Sequence, residues 1–214
     1  MTITAEVHAS IDDIGSDVWT TLAPPHNPFL HFPFLKQLET SRSIGPQETG
    51  WMPRYLELKE EGSTVALLPL YLKLDSYGEY IFDWAWARAA QQAGIRYYPK
   101  LVIAVPYTPA TGERLLCRDS GDSEKLWTYA LQALESIAQR MEVSSIHILF
   151  CQPHEAEYIG SRPGWDTRLT RQYHWKRRPE WETFDDYLGS MKSRHRKAVR
   201  RERRLIVEQG LTIR

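Results

Sequence analysis

The stretch that follows Asp122-Ser123 admits few folds. Leu126, Tyr129, Ala130, Ala133, Leu134, Ile137, Ala138 and Met141 recur at spacings of three and four, drawing one apolar stripe along a helix. On either side stand short apolar runs, Lys100-Leu101-Val102-Ile103-Ala104-Val105 and Ile146-His147-Ile148-Leu149-Phe150-Cys151, each reading as an interior strand. A striped helix must bury its stripe, and a neighbouring sheet is the surface on offer. The expected class is therefore α/β in the α+β sense, a mixed sheet whose apolar side is covered by this helix.

Weaker signals fill in the order. Glu6 to Ile11 alternates as an opening strand, Asp17 caps a short helix holding Trp19 and Leu22, and Phe32 to Glu39 gives a second helix with Pro33 in its first turn. Arg54–Lys59 and Thr64–Leu72 read as two strands around the tight turn Glu61-Gly62-Ser63, a hairpin. Pro153 to Ile159 reads as a short helix, and Arg171 to Arg177 as a strand of alternating aromatic and basic residues. A helix starts at Thr183-Phe184, and a basic one runs from Ser193 to Glu208 with Gly210 after its end. Leu211-Thr212-Ile213-Arg214 then begins an alternating strand.

Between Ser76 and Leu116 the composition changes. Tyr77, Tyr80, Phe82, Trp84, Trp86, Tyr97, Tyr98 and Tyr107 crowd among few charges, and two of those, Asp83 and Lys100, sit inside the aromatic clusters. Tyr and Trp carry an O–H or N–H that needs a partner when buried, so they suit a wall with one apolar and one wet side. Pro106 to Gly112 adds a stiff, shaped loop. Two uses fit: bulky packing under a sheet, or a substrate groove lined by Tyr77, Asp83, Trp84, Trp86, Tyr98, Lys100, Tyr107 and Thr108. The groove is the expectation carried forward, with Lys100 either touching ligand or paired with Asp83 inside the wall.

At 214 residues, 42% hydrophobic and 25% charged, the chain has the make-up of a globular protein with one ample core. No apolar run is long enough to span a membrane, and the first residues lack a basic start and apolar core, so a cytoplasmic location is expected. Cys117 and Cys151 have no CxxC or His spacing, so neither a metal site nor a disulfide framework is expected. The zero net charge is split: Asp166–Arg214 carries +7 and residues 1–165 carry −7. On the basic helix, Arg196, Arg200, Arg203 and Arg204 fall along one stripe beside Lys197 and Arg201, and Leu188, Met191, Val199 and Ile206 form a thinner seam. Such a helix is either solvated and docked by its seam, or contacts phosphate.

YGEYIFDWAWARAAQQAGIRYYPKLVIAVPYTPATGERLL followed by RQYHWKRRPEWETFDDYLGSMKSRHRKAVRRERR resembles the FemAB-like predicted N-acyltransferases. These are bacterial proteins of the GNAT superfamily, related to the Fem aminoacyltransferases of peptidoglycan synthesis. The likeness runs from about Asn27 to the end. It implies a GNAT-like mixed sheet flanked by helices and ending in a long basic helix. It also implies transfer of an acyl or aminoacyl group to an amine acceptor such as a peptide or cell-wall precursor. The implied donor is aminoacyl-tRNA or acyl-CoA, with tRNA as a partner for the phosphate-contacting helix. Fem-type chains generally carry two GNAT-like halves. The resemblance thus divides this one into a domain at 1–182, an inter-domain helix at 183–210, and the start of an absent second domain at 211–214.

GNAT enzymes hold the pyrophosphate of acetyl-CoA on a Q/R-x-x-G-x-G/A turn. The nearest strings, Arg42 to Gln47 and Gln91 to Arg96, lack its last small residue, so no bound cofactor is expected in this half. No catalytic residue stands out; His174, beside Tyr173 and Trp175, is the weak candidate for a base acting on the acceptor amine, and equally a structural histidine. The rival reading is an RNA-binding protein acting through Lys192–Arg204.

Overall fold

The run read above as one strand, Thr64–Leu72, is two strands in two sheets. In the computed structural model, which describes residues 2–81, 83–118 and 123–211, β4 (Ser63–Leu68) and β5 (Leu70–Lys73) flank Pro69. Proline has no N–H to give a ladder, which suits a break between sheets. One sheet has the order β1–β3–β4, with β1 at Ile3–His8 and β3 at Tyr55–Glu60. The other has the order β2–β5–β6–β7, with β2 at Trp51–Pro53, β6 at Lys100–Ile103 and β7 at Ile146–Ile148. All pairings are antiparallel except β6 with β7. The β3–β4 hairpin turns through Glu61 and Gly62, both in the left-handed region at φ 50° and 81°, the twist a two-residue turn requires.

The period of two along the strands fills two cores. Leu56, Leu58, Leu70, Leu101 and Ile103 face α4 (Ser123–Arg140), which buries Leu126, Trp127, Ala130, Leu131, Leu134 and Ile137 against them. Each such Leu or Ile is worth about 1.5–3 kcal/mol when fully buried. The intervening Tyr55, Tyr71 and Val102 join Trp19 of α1 (Ser16–Leu22) and Leu35 of α2 (Phe32–Thr40) on the other side. Both sheet faces are thus covered, where one was expected. Polar tips in this second core are matched: Trp19 Nε1 donates to the Leu30 carbonyl at 2.8 Å and Tyr55 Oη to Glu39 at 2.9 Å.

Three local readings change. Gly15, not Asp17, occupies the cap position of α1, and Asp17 lies in the first turn. A helix α3 (Trp84–Gln92) occupies the aromatic block, where no element was expected. Arg171–Arg177 is irregular and exposed, not a strand: its alternation has no buried face to set a register against. Asp122, Phe82 and all but the first residue of the expected strand Leu211–Arg214 lie outside the described residues.

The chain divides into two units, Met1–Leu169 and Thr170–Arg214. The first also holds α5 (Pro153–Gly160), whose buried Glu155 accepts the backbone N–H groups of Arg114, Leu115 and Gln152 at 2.9–3.0 Å. The second holds α6 (Phe184–Gly189), opened by a capping box between Thr183 and Asp186, and α7 (Ser193–Glu208).

Candidate functional site

Lys73 and Lys100 are opposite one another at the end of the β5–β6 ladder, so their side chains leave the same face. Both are completely buried. Two adjacent ammonium groups out of water must each find counter-charge, and the loop leaving β5 supplies it. Lys100 Nζ donates to Asp83 Oδ2 at 2.8 Å, Glu79 Oε2 at 2.9 Å and Ser76 Oγ at 2.9 Å, which uses all three of its hydrogens. Lys73 Nζ reaches Asp75 Oδ1 at 3.2 Å and the Tyr77 carbonyl at 3.1 Å, and stands 4.1 Å from the centre of the Trp51 ring.

The two carboxylates of Lys100 differ. Burial pushes the Asp83 carboxyl up, but hydrogen bonds from Lys100, Ser76 and Tyr97 outweigh it and hold the group at about 2. For Glu79 burial wins over the Lys100 ammonium and its carboxyl is raised. Burial likewise lowers Lys73. One oxygen of each acid, Glu79 Oε1 and Asp83 Oδ1, is buried with no hydrogen-bond partner. His147 stands near, and burial with the Lys100 charge brings its imidazole down to about 4, so it is neutral at pH 7. Ligand atoms of Glu79, Asp83 and His147 lie within 4.8 Å of one another, a spacing a metal ion would accept, but the Lys100 ammonium already bridges the two acids. The other such group among the described residues, Glu6, His8 and Glu57, is tied internally by His8 Nε2 to Glu57 at 2.7 Å.

Above this charge network lies an open cleft of about 590 Å³. Tyr97 and Tyr98 form one wall; their rings meet edge to face, 5.0 Å between centres. Both are anchored from beneath, Tyr97 Oη donating to Asp83 at 2.7 Å and Tyr98 Oη sharing a 2.7 Å hydrogen bond with Ser76. The Lys100 ammonium sits 5.3 and 5.5 Å from their ring centres. The facing wall is α3, which presents Trp84, Ala87, Arg88 and Gln91, the i, i+3, i+4, i+7 face of the helix. Asp75, Ile95 and Arg96 complete the lining.

Of the residues expected to line a groove, the structure brings Trp84 and Tyr98 into this cleft, and sets Asp83 and Lys100 under it as a buried ion pair. Tyr77 packs on Trp84 outside the lining, the rings tilted with centres 4.9 Å apart, and Trp86, 59% exposed, carries the Arg168 guanidinium over its ring. Tyr107 and Thr108 lie apart from it, Tyr107 packing on Trp51 and donating to the Ser43 carbonyl at 2.9 Å, Thr108 hydrogen-bonding Pro106. Lys100 has no exposed surface, so its role is to fix the wall rather than to meet a ligand. Glu79, Ser76, Arg88 and Arg96 were not singled out from sequence. The signal for α3 was there: the Ala-rich WAWARAAQQA followed by Gly94 at φ 70° is a helix with its terminator.

In the second unit His174 is exposed within the irregular segment. Trp175, Trp181, Tyr187 and Phe184 cluster by ring contacts, with Trp175 and Trp181 stacked at 6.0 Å. The six basic candidates all lie on α7. Several serve their own unit: Arg200 pairs with Asp185 at 3.2 Å, Arg204 with Glu208 at 3.4 Å, Arg203 lies over the Phe184 ring and Arg196 reaches the Gly189 carbonyl. Lys197 and Arg201 are exposed on the same helix. No helix among the described residues is long and apolar enough to cross a membrane.

Residues 10–214 match the family FemAB-like, described as peptidoglycan biosynthesis/recognition. No curated protein matches the chain. Among solved structures, an aminoglycoside antibiotic 6′-N-acetyltransferase from Acinetobacter baumannii superposes with a TM-score of 0.46 at 12% identity, over 82% of this chain and 99% of that one. A ribosomal-protein-alanine N-acetyltransferase from Brucella melitensis gives 0.44 at 8% identity with the same coverage. Nothing among these matches supports the RNA-binding alternative.

Proposed function

We propose that this chain, which belongs to the FemAB-like family, takes part in transferring an acyl or aminoacyl group to the amine of an acceptor held in the Trp84–Tyr98 cleft. The acceptor in this reading is a peptide of the kind found in cell-wall precursors. The family match, spanning nearly the whole chain, carries the proposal. The cleft supports it, because it pairs aromatic faces for contact with a few polar groups for orientation.

In such a transfer the acceptor nitrogen attacks the donor carbonyl, a tetrahedral oxyanion forms and collapses, and the leaving group departs with the nitrogen's proton. Little covalent help from the protein is needed when amine and carbonyl are already aligned; positioning supplies most of the rate. The chain's contribution is a rigid wall. Tyr97 and Tyr98 are tied to a buried ion-pair network, so their rings keep one orientation while the acceptor docks.

The experiment incubates the protein with a cell-wall precursor peptide and, in separate reactions, acetyl-CoA or a mixture of aminoacyl-tRNAs, and reads the product by mass. The proposal expects an acylated peptide whose formation drops about tenfold or more in the Trp84→Ala, Tyr98→Ala double variant, with the fold intact. Acylation unaffected by the double variant would move the site elsewhere. No acylation with either donor contradicts the activity itself.

A further inference from the structure

The cleft is cationic in a way that acyl transfer as such does not demand. Arg88 and Arg96 both line it, against a single acid, Asp75. Asp75 is already engaged, by the Lys73 ammonium at 3.2 Å and the Tyr77 backbone N–H at 2.9 Å. Arg88 makes no hydrogen bond or ion pair among the described residues, and Arg96 spends only one N–H, on the Glu142 carbonyl at 2.7 Å. A guanidinium has five donors, so most of the donor capacity of this wall is unspent. The Trp84 ring precedes Arg88 by one helical turn and therefore lies on the same face.

An aromatic face beside unspent guanidinium forks is the chemistry that recognises an oxyanion on a flat or apolar body. An acceptor without an anionic group, a simple amine or an unmodified amino sugar, would leave those forks idle. We infer that the cleft selects acceptors carrying an oxyanion, a free carboxylate or a phosphate, which docks on Arg88 and Arg96 while the body of the acceptor lies against Trp84 and Tyr98. This rests on the cleft being the acceptor site, and names the acceptor class within that reading.

The test is calorimetric titration of the whole protein with two pairs of probes. The tripeptide Lys-Tyr-Ala is compared with its C-terminal amide, and glucosamine 6-phosphate with glucosamine. A charge-assisted contact is worth roughly tenfold or more in affinity, so the charged member of at least one pair should bind that much more tightly. A preference in the first pair assigns a carboxylate, in the second a phosphate. Arg88→Gln with Arg96→Gln should erase the preference, and Arg88→Lys with Arg96→Lys should keep part of it; both arginines line an open cleft, and melting curves confirm that the variants fold. Equal binding within both pairs, no binding of any probe at millimolar concentration, or a preference that survives the double Gln variant overturns the inference. An oxyanion preference without any acyl transfer contradicts the proposed activity alone. Transfer without the preference contradicts only the acceptor class.

Discussion

Replacing Lys100 by Met separates a structural ammonium from an incidental one. Met fills nearly the same volume, so little of the loss comes from a cavity. What disappears is the donor to Asp83, Glu79 and Ser76, leaving two buried carboxyls without their cation. Breaking a buried pair by deleting one partner costs about 3–5 kcal/mol. The stranded acids can escape by taking up protons, at about 1.4 kcal/mol for each pH unit above their ordinary value, which for Asp83 is 3.8 and makes about 4 kcal/mol at pH 7. The two routes agree in size, so a deficit of about 4 kcal/mol is expected at pH 7. Its pH dependence carries the sign. In the wild type the Asp83 carboxyl is depressed to about 2, so its stabilisation is complete above pH 3.8 and lost only as pH falls from there toward 2. In the variant both carboxyls are pushed up, so stability rises as pH falls from 7 to 5. Glu79, raised already, gives the wild type a slope of the same sign that the variant must exceed. Urea denaturation at pH 7, 6 and 5 measures both. A deficit under about 1 kcal/mol at pH 7, or one that stays constant down to pH 5, would refute the reasoning.

Three further outcomes follow from the same structure. Glu155→Ala strands three backbone donors and should cost about 3 kcal/mol or more in thermal unfolding; a loss below about 1 kcal/mol would mean water replaces the carboxylate freely. Gly78→Ala places a Cβ 2.5 Å from the Tyr107 ring at a φ of +74°, so the urea midpoint should fall, by about 1–2 kcal/mol from the backbone alone; an unchanged midpoint contradicts the close approach. The His147 imidazole should titrate near 4 by NMR, so that the fold loses stability as pH drops from 6.5 toward 4, where only the unfolded chain protonates; a midpoint near 6.5 would place the ring in water.

Much of the architecture was legible because periodicity reports burial directly. The α4 stripe and the extent of α7 stand where their spacing puts them, and β6 and β7 begin where their apolar runs begin but end early, at Ile103 and Ile148. What spacing cannot show is which strand joins which sheet: Val65–Leu72 is one hydrophobic run, and only the missing N–H of Pro69 marks the change of sheet. The site was legible by composition and not by contact. Rings among few charges pointed to the stretch that lines the cleft, yet whether Lys100 meets ligand or Asp83 depends on a loop of ten residues folding back over β6. Trp86 and Tyr107 looked like Trp84 and Tyr98 in sequence; a helical turn of about 100° per residue carries Trp86 off the cleft face, and the turn at Pro106 carries Tyr107 toward Trp51. Arg171–Arg177 shows the opposite error, an alternating pattern read as a strand in a segment that is irregular and exposed.

Backbone hydrogen exchange across the chain, with and without a saturating cell-wall precursor peptide, asks most directly whether the cleft is where the acceptor sits. The account predicts that added protection concentrates in residues 84–98, along α3 and the Tyr97–Tyr98 wall. Protection confined to 170–211, with α3 exchanging as in the free protein, would contradict it.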